Sequence, residues 1–488
     1  MCPREATAPR VALAAEDERI AGEVARVAEA RGFPLLRLGL EAAVDAPVGA
    51  IAFVPARPPE PRTALKIAKL CRRAAENRRP VVLLAAFERA RGRIADERAA
   101  ALAYLRTNGA IIAEDPDVWF ETAALIAAFG APPGPRVAII APPGCWLSLQ
   151  ASVLAQDYES RCSARMPVTT DLASAPAVDA ILVDRDTMAS VQQDRIPRTL
   201  IVPVVARAEA LLDGPSLVDL RATLAAVALA GRHAERLASG FGPIPPTGHR
   251  KLKVDRERVE KALAGASDHL GDHETKLLLS AYGTPVTRQG VATTPSAAVR
   301  IAKTCGWPVQ VRPWDPAIQP ERNGEPLIVG VKNPPDVRRA FASAATAAGL
   351  KVGSAVIVRV TPPPGREIGA RIEKVPEIGW TVIVEVPGAA RPLAAPAPLR
   401  RIDAEELASG LESTRSDDAP VDRQALADLL ARASFAVVDR EQDIEELVLS
   451  RILVAEKGHG AVVVDARTRL RKDRPRREVP GFGATRAS

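Results

Sequence analysis

The chain has 488 residues, 47% of them apolar and 26% charged, the balance of a soluble globular protein and too long for one compact domain. Its net charge of +7 is spread out except at His249-Arg250-Lys251-Leu252-Lys253 and the run 467–477, where no interleaved aromatics suggest nucleic-acid recognition. Five cysteines with no CxxC pair, and no apolar stretch near the ~18 residues a bilayer needs, exclude a disulfide framework, a zinc ribbon and a membrane-spanning helix.

In chain order, Val11 to Ala14 reads as a strand, followed by a helix from Glu16 to about Arg31. Further strands are expected at Ala50 to Val54, at Arg79 to Leu84 and at Ala110 to Ala113. Helices are expected from Thr63 to Asn77 and from about Val118 to Phe129. Alternating strands and helices imply a mostly parallel sheet covered on both faces. The cluster Pro132-Pro133-Gly134-Pro135 is a boundary, and Arg136 to Ala141 starts a second α/β domain. Its later strands are read at Ala180 to Val183 and Leu200 to Val205, and its last helix at Asp219 to Leu237. The expected organisation is therefore domains at 9–131 and 135–240, a Pro-rich linker at 241–254, a third domain at 255–472 and a disordered basic tail at 473–488.

The stretch Glu274 to Arg312 is the most informative. An amphipathic helix with Leu277, Leu278 and Leu279 leads through Tyr282-Gly283 to a short expected strand, Pro285-Val286-Thr287. A second helix is expected from Pro295 to Thr304, and Gly306-Trp307-Pro308 opens the strand Val309 to Arg312. This order resembles the entry into the ATP-grasp half of the NDP-forming acyl-CoA synthetases, the ADP-forming acetate–CoA ligases among them. The likeness extends, in order, over most of residues 60 to 470. It includes Lys66 to Leu84, Gly109 to Leu125, Met166 to Leu172, Val178 to Val183, Ile444 to Val454 and Ala461 to Leu470. It implies an α/β fold with two succinyl-CoA-synthetase-like (flavodoxin-like) parallel-sheet domains followed by an ATP-grasp-like α+β domain. The family's N-terminal CoA-binding domain is not expected in this chain.

The family passes a phosphoryl group through a histidine on a Ser-His-Thr-Gly loop, which the resemblance puts between Leu84 and Gly109. That interval contains no histidine, and none occurs before His233. The family's Ser-Gly turn after the first strand becomes Glu16-Asp17-Glu18, and a Gly-rich turn in the second domain becomes Pro142-Pro143-Gly144. Carboxylates repel a phosphate, and proline removes the N–H that would hold one. The family's phosphate-contacting Lys falls at Arg312, and its His-Lys-Ser-Asp-x-Gly-Gly element at Pro320 to Pro326, with Glu321 in place of Lys. The metal-binding Asp-Ile-Asn-Pro element aligns with Val448-Leu449-Ser450-Arg451, although Mg²⁺ demands oxygen ligands. Arg312, Glu367 and Asp465 match family positions and form the expected vestigial nucleotide site. No catalytic residue and no metal site are expected.

Two histidines four apart, His269 and His273, lack a third metal ligand by spacing, and Asp272 reads instead as an N-cap before Leu277. Cys145, between a strand and a helix, reads as a structural thiol, and His459 as part of a hairpin turn. No GxGxxG, GxxxxGK[ST] or GxSxG occurs. The expectation is a cytoplasmic, catalytically degenerate relative of the synthetases, a pseudoenzyme that acts as a binding or regulatory partner in acyl-CoA metabolism. Its partner is a protein, an active synthetase subunit or a second copy of the chain. The alternative is an active acid–CoA ligase subunit that takes ATP or ADP with Mg²⁺ and CoA, with the CoA-binding and phosphohistidine site on a partner chain. A third possibility is a small-molecule sensor that uses the vestigial clefts.

Overall fold

The computed structural model describes residues 11–30, 33, 35–88, 90–162, 166–171, 175–184, 199–205, 217–240, 253–264, 266, 268–314, 328–347, 355–362, 364–389, 391–411 and 421–474. They divide between two compact units, Met1–Gly242 and Pro243–Ser488. Among the described residues no helix is long and apolar enough to cross a membrane.

The first unit opens with β1 (Val11–Ala15), α1 (Glu18–Ala30), β2 (Leu35–Arg37), α2 (Leu40–Asp45), β3 (Ala50–Val54), α3 (Pro61–Glu76), β4 (Val81–Leu84), α4 (Arg93–Thr107), β5 (Ala110–Ala113) and α5 (Pro116–Phe129). It continues with β6 (Val137–Ile140), α6 (Trp146–Cys162), β7 (Val168–Thr169), β8 (Ala180–Asp184), β9 (Leu200–Val205), β10 (Leu217–Val218) and α7 (Leu220–Ala238). The strands form two five-stranded sheets, ordered β2-β1-β3-β4-β5 and β10-β9-β8-β6-β7, and every pairing in them is parallel. Counted from its own first strand, each sheet has the order 2-1-3-4-5 of flavodoxin-like folds. Helices cover both faces, which is why β3, β5 and β6 are continuous apolar runs buried along their length.

One core joins the two sheets and takes in Leu13, Phe33, Trp119, Ile139, Leu182 and Leu224. Helices α5 and α7 pack on each other within it. The indole of Trp119 donates to the Val82 carbonyl at 2.8 Å, so its one polar group is satisfied inside the core. Asp115 and Asp219 cap α5 and α7 through their carboxylates. Gly231 of α7 lies against the Pro-Gly turn, where a Cβ would stand 2.3 Å from the Gly134 carbonyl oxygen. Gly231→Ala must therefore push α7 off that turn. A loss of about 1–3 kcal/mol in chemical denaturation is expected, and unchanged stability would show that the turn yields freely.

The second unit contains α8 (Arg256–Leu263), β11 (His269–Leu270), α9 (Asp272–Ala281), β12 (Gln289–Ala292), α10 (Pro295–Cys305), β13 (Val309–Trp314), β14 (Ile328–Val331), α11 (Pro334–Ala347) and β15 (Ala355–Val360). It ends with β16 (Arg366–Val375), β17 (Gly379–Glu385), β18 (Leu393–Pro396), α12 (Arg401–Ser409), α13 (Arg423–Asp439), β19 (Ile444–Val454) and β20 (Ala461–Leu470). A four-stranded antiparallel sheet, β12-β15-β13-β14, carries α10 and α11 over a core of Val299, Val311, Phe341 and Val358. A six-stranded sheet, β11-β20-β19-β16-β17-β18, buries one face under α8, α9, α12 and α13. Strand β16 alternates buried and partly exposed residues, as a strand covered on one face should.

Two local expectations are corrected, and one helix was not expected. Pro285 to Thr287 is not a strand: Val286 makes a single parallel bridge to Val463, and the strand is β12, two residues later. The unexpected helix is α4, which fills most of the interval between Leu84 and Gly109. Its Ala-, Arg- and Leu-rich sequence favours a helix, and Arg93 pairs with Glu97 one turn on at 2.9 Å. Asp272 is not the N-cap of α9. Gly271 occupies that position without a side-chain cap, and the Asp272 carboxylate turns inward. The element at Pro320 to Pro326, Leu172, His249 and the tail from Pro475 onward lie outside the described residues.

Candidate functional site

Four strands and one helix bring their polar side chains together where the two sheets of the second unit meet. Lys276 of α9 is 2% exposed. Its ammonium donates to Asp272 Oδ2 at 3.0 Å, Thr287 Oγ1 at 3.0 Å and Gln289 Oε1 at 2.9 Å, and also to the Val464 carbonyl. Asp272 in turn takes Arg312 Nη2 at 2.6 Å, Gln289 Nε2 at 3.0 Å and the Ala466 N–H at 3.0 Å. Arg312 of β13 reaches across to Asp465 of β20 at 3.1 Å. The same Asp465 oxygen accepts Arg359 Nη1, from β15, at 2.6 Å. Arg359 also donates to the Gln310 side-chain oxygen at 2.8 Å and the Val464 carbonyl at 2.8 Å.

This is a closed network of three cations and two carboxylates. Burial alone would raise the Asp272 carboxyl, but the charges of Lys276 and Arg312 and the hydrogen bonds from Gln289 and Lys276 hold it below the usual carboxylate range. Burial lowers Lys276 to about 8; Asp272 works against that shift, and the nearby Arg359 adds to it. Lys276 therefore remains mostly charged at neutral pH.

The structure brings Arg312 and Asp465 together in an ion pair. Glu367 lies elsewhere on the larger sheet, half exposed and ion-paired with Arg451. The residues that complete the cluster, Asp272, Lys276, Gln310 and Arg359, were not singled out as site residues. The one available signal was the i,i+4 spacing of Asp272 and Lys276 on α9.

The chemistry of the donor set decides whether a Mg²⁺ ion fits. The carboxylates here are Asp272 and Asp465, and guanidinium groups already hold both. On the neighbouring strand Ser450 donates its hydroxyl to the Asp465 main-chain oxygen at 3.3 Å, and Arg451 stands in register with Asp465. Mg²⁺ needs about six oxygens in octahedral array, and this set does not supply them. A phosphate would meet the same obstacle, since both carboxylates already engage Arg312.

The crevices of the first unit are occupied in a similar way. Doubly wound sheets bind ligands beyond the carboxyl ends of their strands where the order reverses, here between β1 and β3 and between β6 and β8. Glu16 Oε2 accepts the Ala56 N–H at 2.8 Å, and Asp17 Oδ1 accepts the Arg19 N–H at 2.8 Å at the start of α1. In the second crevice the Cys145 sulfur, half-buried, accepts the Ser148 N–H at 3.4 Å. Carboxylates and a thiol thus engage N–H groups that an anion would use. His233, the first imidazole of the chain, is buried on α7 with both ring nitrogens unpartnered.

Beside the cluster, and joined to it through Thr287, an open pocket of ≈ 230 Å³ lies between the end of β15 and the β19–β20 hairpin. His459 sits in the turn of that hairpin.

Comparison with known proteins matches a family model described as ATP-grasp domain to residues 261–470. The β subunit of an ADP-forming acetate–CoA ligase (isoform II) of Pyrococcus furiosus is 27% identical over 228 residues, covering 44% of this chain and 96% of that protein. The 4-hydroxybutyrate–CoA ligase (ADP-forming) of Nitrosopumilus maritimus is 24% identical over 241 residues, covering 45% of this chain but 34% of that protein. Among solved structures, the dinucleotide-forming acetyl-coenzyme A synthetase 1 of Candidatus Korarchaeum cryptofilum, in complex with coenzyme A, is 27% identical. It covers 44% of this chain and 99% of that chain, with a TM-score of 0.38. Residues 261–470 are an ATP-grasp domain similar to the β subunits of the ADP-forming acetate–CoA ligases.

Proposed function

We propose that this chain is a catalytically degenerate relative of the ADP-forming acyl-CoA synthetases that serves as a binding or regulatory partner in cytoplasmic acyl-CoA metabolism. The observation that carries the reading is the double guanidinium grip on Asp465, with Arg312 also held by Asp272. To grip a phosphate, Arg312 would have to leave two buried carboxylates. Breaking such a pair leaves a buried charge uncompensated, at about 3–5 kcal/mol. The absence of any histidine between Leu84 and Gly109 points the same way. So do the closed crevices of the first unit.

A specific observation favours a second reading. The Pyrococcus relatives are named as β subunits, and the segment that matches them is less than half of this chain. A partner subunit that supplies a CoA-binding and phosphohistidine site would then complete an active acid–CoA ligase, with Arg312, Glu367 and Asp465 on the nucleotide. Calorimetry of the full chain with ATP and ADP in Mg²⁺, together with labelled-phosphate transfer in the presence of acyl-CoA, separates the two. Degeneracy predicts flat titrations and no acid-labile phosphoprotein. Saturable ATP binding that disappears in Arg312→Ala would replace it with the second reading.

A further inference from the structure

We propose that helix α6 of the first unit is the contact through which two copies of this chain associate. Trp146, Leu149 and Val153 are 51%, 54% and 77% exposed, and their spacing of three and four residues puts them on one face of the helix. Val168, on the edge strand β7 that α6 packs against, is 41% exposed. The opposite face of α6 is already used, since Leu147, Ala151 and Leu154 belong to the core shared by the two sheets. A helix that is apolar all round is a covered helix. Helix α1 is the internal control, because it follows the first strand of its sheet as α6 follows the first strand of the other. Its exposed residues include Glu18, Arg19, Glu23, Arg26 and Glu29, as a face turned to water should. No charged residue occurs from Val137 to Gln156, a stretch that takes in β6 and most of α6.

The same residues point to the occupant. Charges across a contact select one partner against others, and this stripe carries none that would single out an acidic or a basic surface. An uncharged stripe pairs by shape, and a two-fold contact asks only that it complement itself. With two α6 helices antiparallel about an axis beside Leu149, Trp146 of each copy meets the partner's Val153, a large side chain against a small one, and the leucines meet near the axis. Ser148 and Ser152 flank the stripe and are small enough to let the helices approach. The antiparallel arrangement also brings opposite ends of the two helix dipoles together. The area agrees with a dimer contact. The four side chains expose on the order of 300 Å² of apolar surface, so two copies would bury about 600 Å². A standard interface buries about 1,600 Å², a little over half of it apolar, and the stripe therefore supplies most of the apolar centre.

The inference does not depend on the reading of the charge cluster, which lies in the other unit. The test is sedimentation velocity of the full chain over a thousandfold dilution series. A concentration-dependent species of twice the 51.7 kDa chain mass is expected. Val153→Glu, at the most exposed of the four positions, should weaken association at least tenfold with an unchanged circular dichroism spectrum, and so should Trp146→Lys. The two changes combined should associate more tightly than either alone, since the antiparallel register sets each introduced carboxylate beside an introduced ammonium of the other copy. A monomer at every concentration, a dimer indifferent to both single changes, or a double variant no tighter than the singles would overturn the proposal. A monomer whose Trp146 emission is shielded from iodide would overturn it too, by showing that another segment of the chain covers the stripe. A dimer that also binds ATP saturably would restore the synthetase reading while keeping this one, so the two fail separately.

Discussion

Asp272→Ala is expected to lower the unfolding free energy by about 3–5 kcal/mol, the usual range for removing one partner of a buried ion pair. Asp272 is 7% exposed and accepts Lys276, Arg312, Gln289 and the Ala466 N–H. Without it, Lys276, Arg312 and Arg359 face Asp465 alone. Lys276 loses the contact that most opposes its downward shift from burial, so deprotonation of the amine absorbs part of the cost. Replacing both partners, in Asp272→Leu with Lys276→Met, should be less destabilising than the sum of the single changes, because paired apolar substitution avoids an orphaned charge. The pH dependence has a definite sign. The folded-state pKa of Asp272 is depressed, so its contribution is present above the ordinary carboxylate range and is lost as pH falls through the depressed value. Urea denaturation of the four variants, Asp272→Ala, Asp272→Leu, Lys276→Met and the double, measures all of this, and a loss below about 1 kcal/mol for Asp272→Ala would mean that the cluster is hydrated.

His233→Leu is expected to act in the opposite direction. The imidazole of His233 is 4% exposed on α7, and both nitrogens lack partners. Burial first, and the charge of Arg236 second, lower its pKa from 6.5 to about 4. Between those values the unfolded chain holds a proton that the folded chain refuses. Stability therefore falls as pH drops below 6.5 and levels off near 4. The full window is worth about 3 kcal/mol at 1.36 kcal/mol per unit. Leucine removes both the titration and the unsatisfied nitrogens, so the variant should gain on the natural chain by that amount between neutral pH and pH 4, and by about 1 kcal/mol at neutral pH. Parallel acid limbs for the two proteins would show that the imidazole is solvated.

Much of the fold was legible because its strands are apolar and its helices carry their own punctuation. Ala50 to Val54 and Ala110 to Ala113 are strands at the expected bounds. Thr294 and Pro295 mark the start of α10, where the Thr294 hydroxyl accepts the Ala297 N–H. Strand β2 was missed because it is three residues long and lies at a sheet edge. Helix α4 carries no such mark, because Gly92 precedes it without a side-chain cap. Arg312 and Asp465 are named through the resemblance alone. Lys276 and Arg359 were not found, because a lysine on an amphipathic helix and an arginine in a strand ordinarily face water. Only the antiparallel pairing of β13 with β15, which sets Gln310 opposite Arg359, and the approach of β20 turn both side chains inward.

The prolines at the pocket rim have a mechanical consequence. Between β15 and β16 the chain carries Pro362 and Pro364 at that rim, and each of these proline rings locks its own φ torsion. A strut with so few free rotations resists the hinge bending by which two-lobed enzymes open and close over a substrate. The two sheets it joins should keep a nearly constant spacing. Such a clamp holds an occupant steadily but lacks the freedom to rock between loading and release.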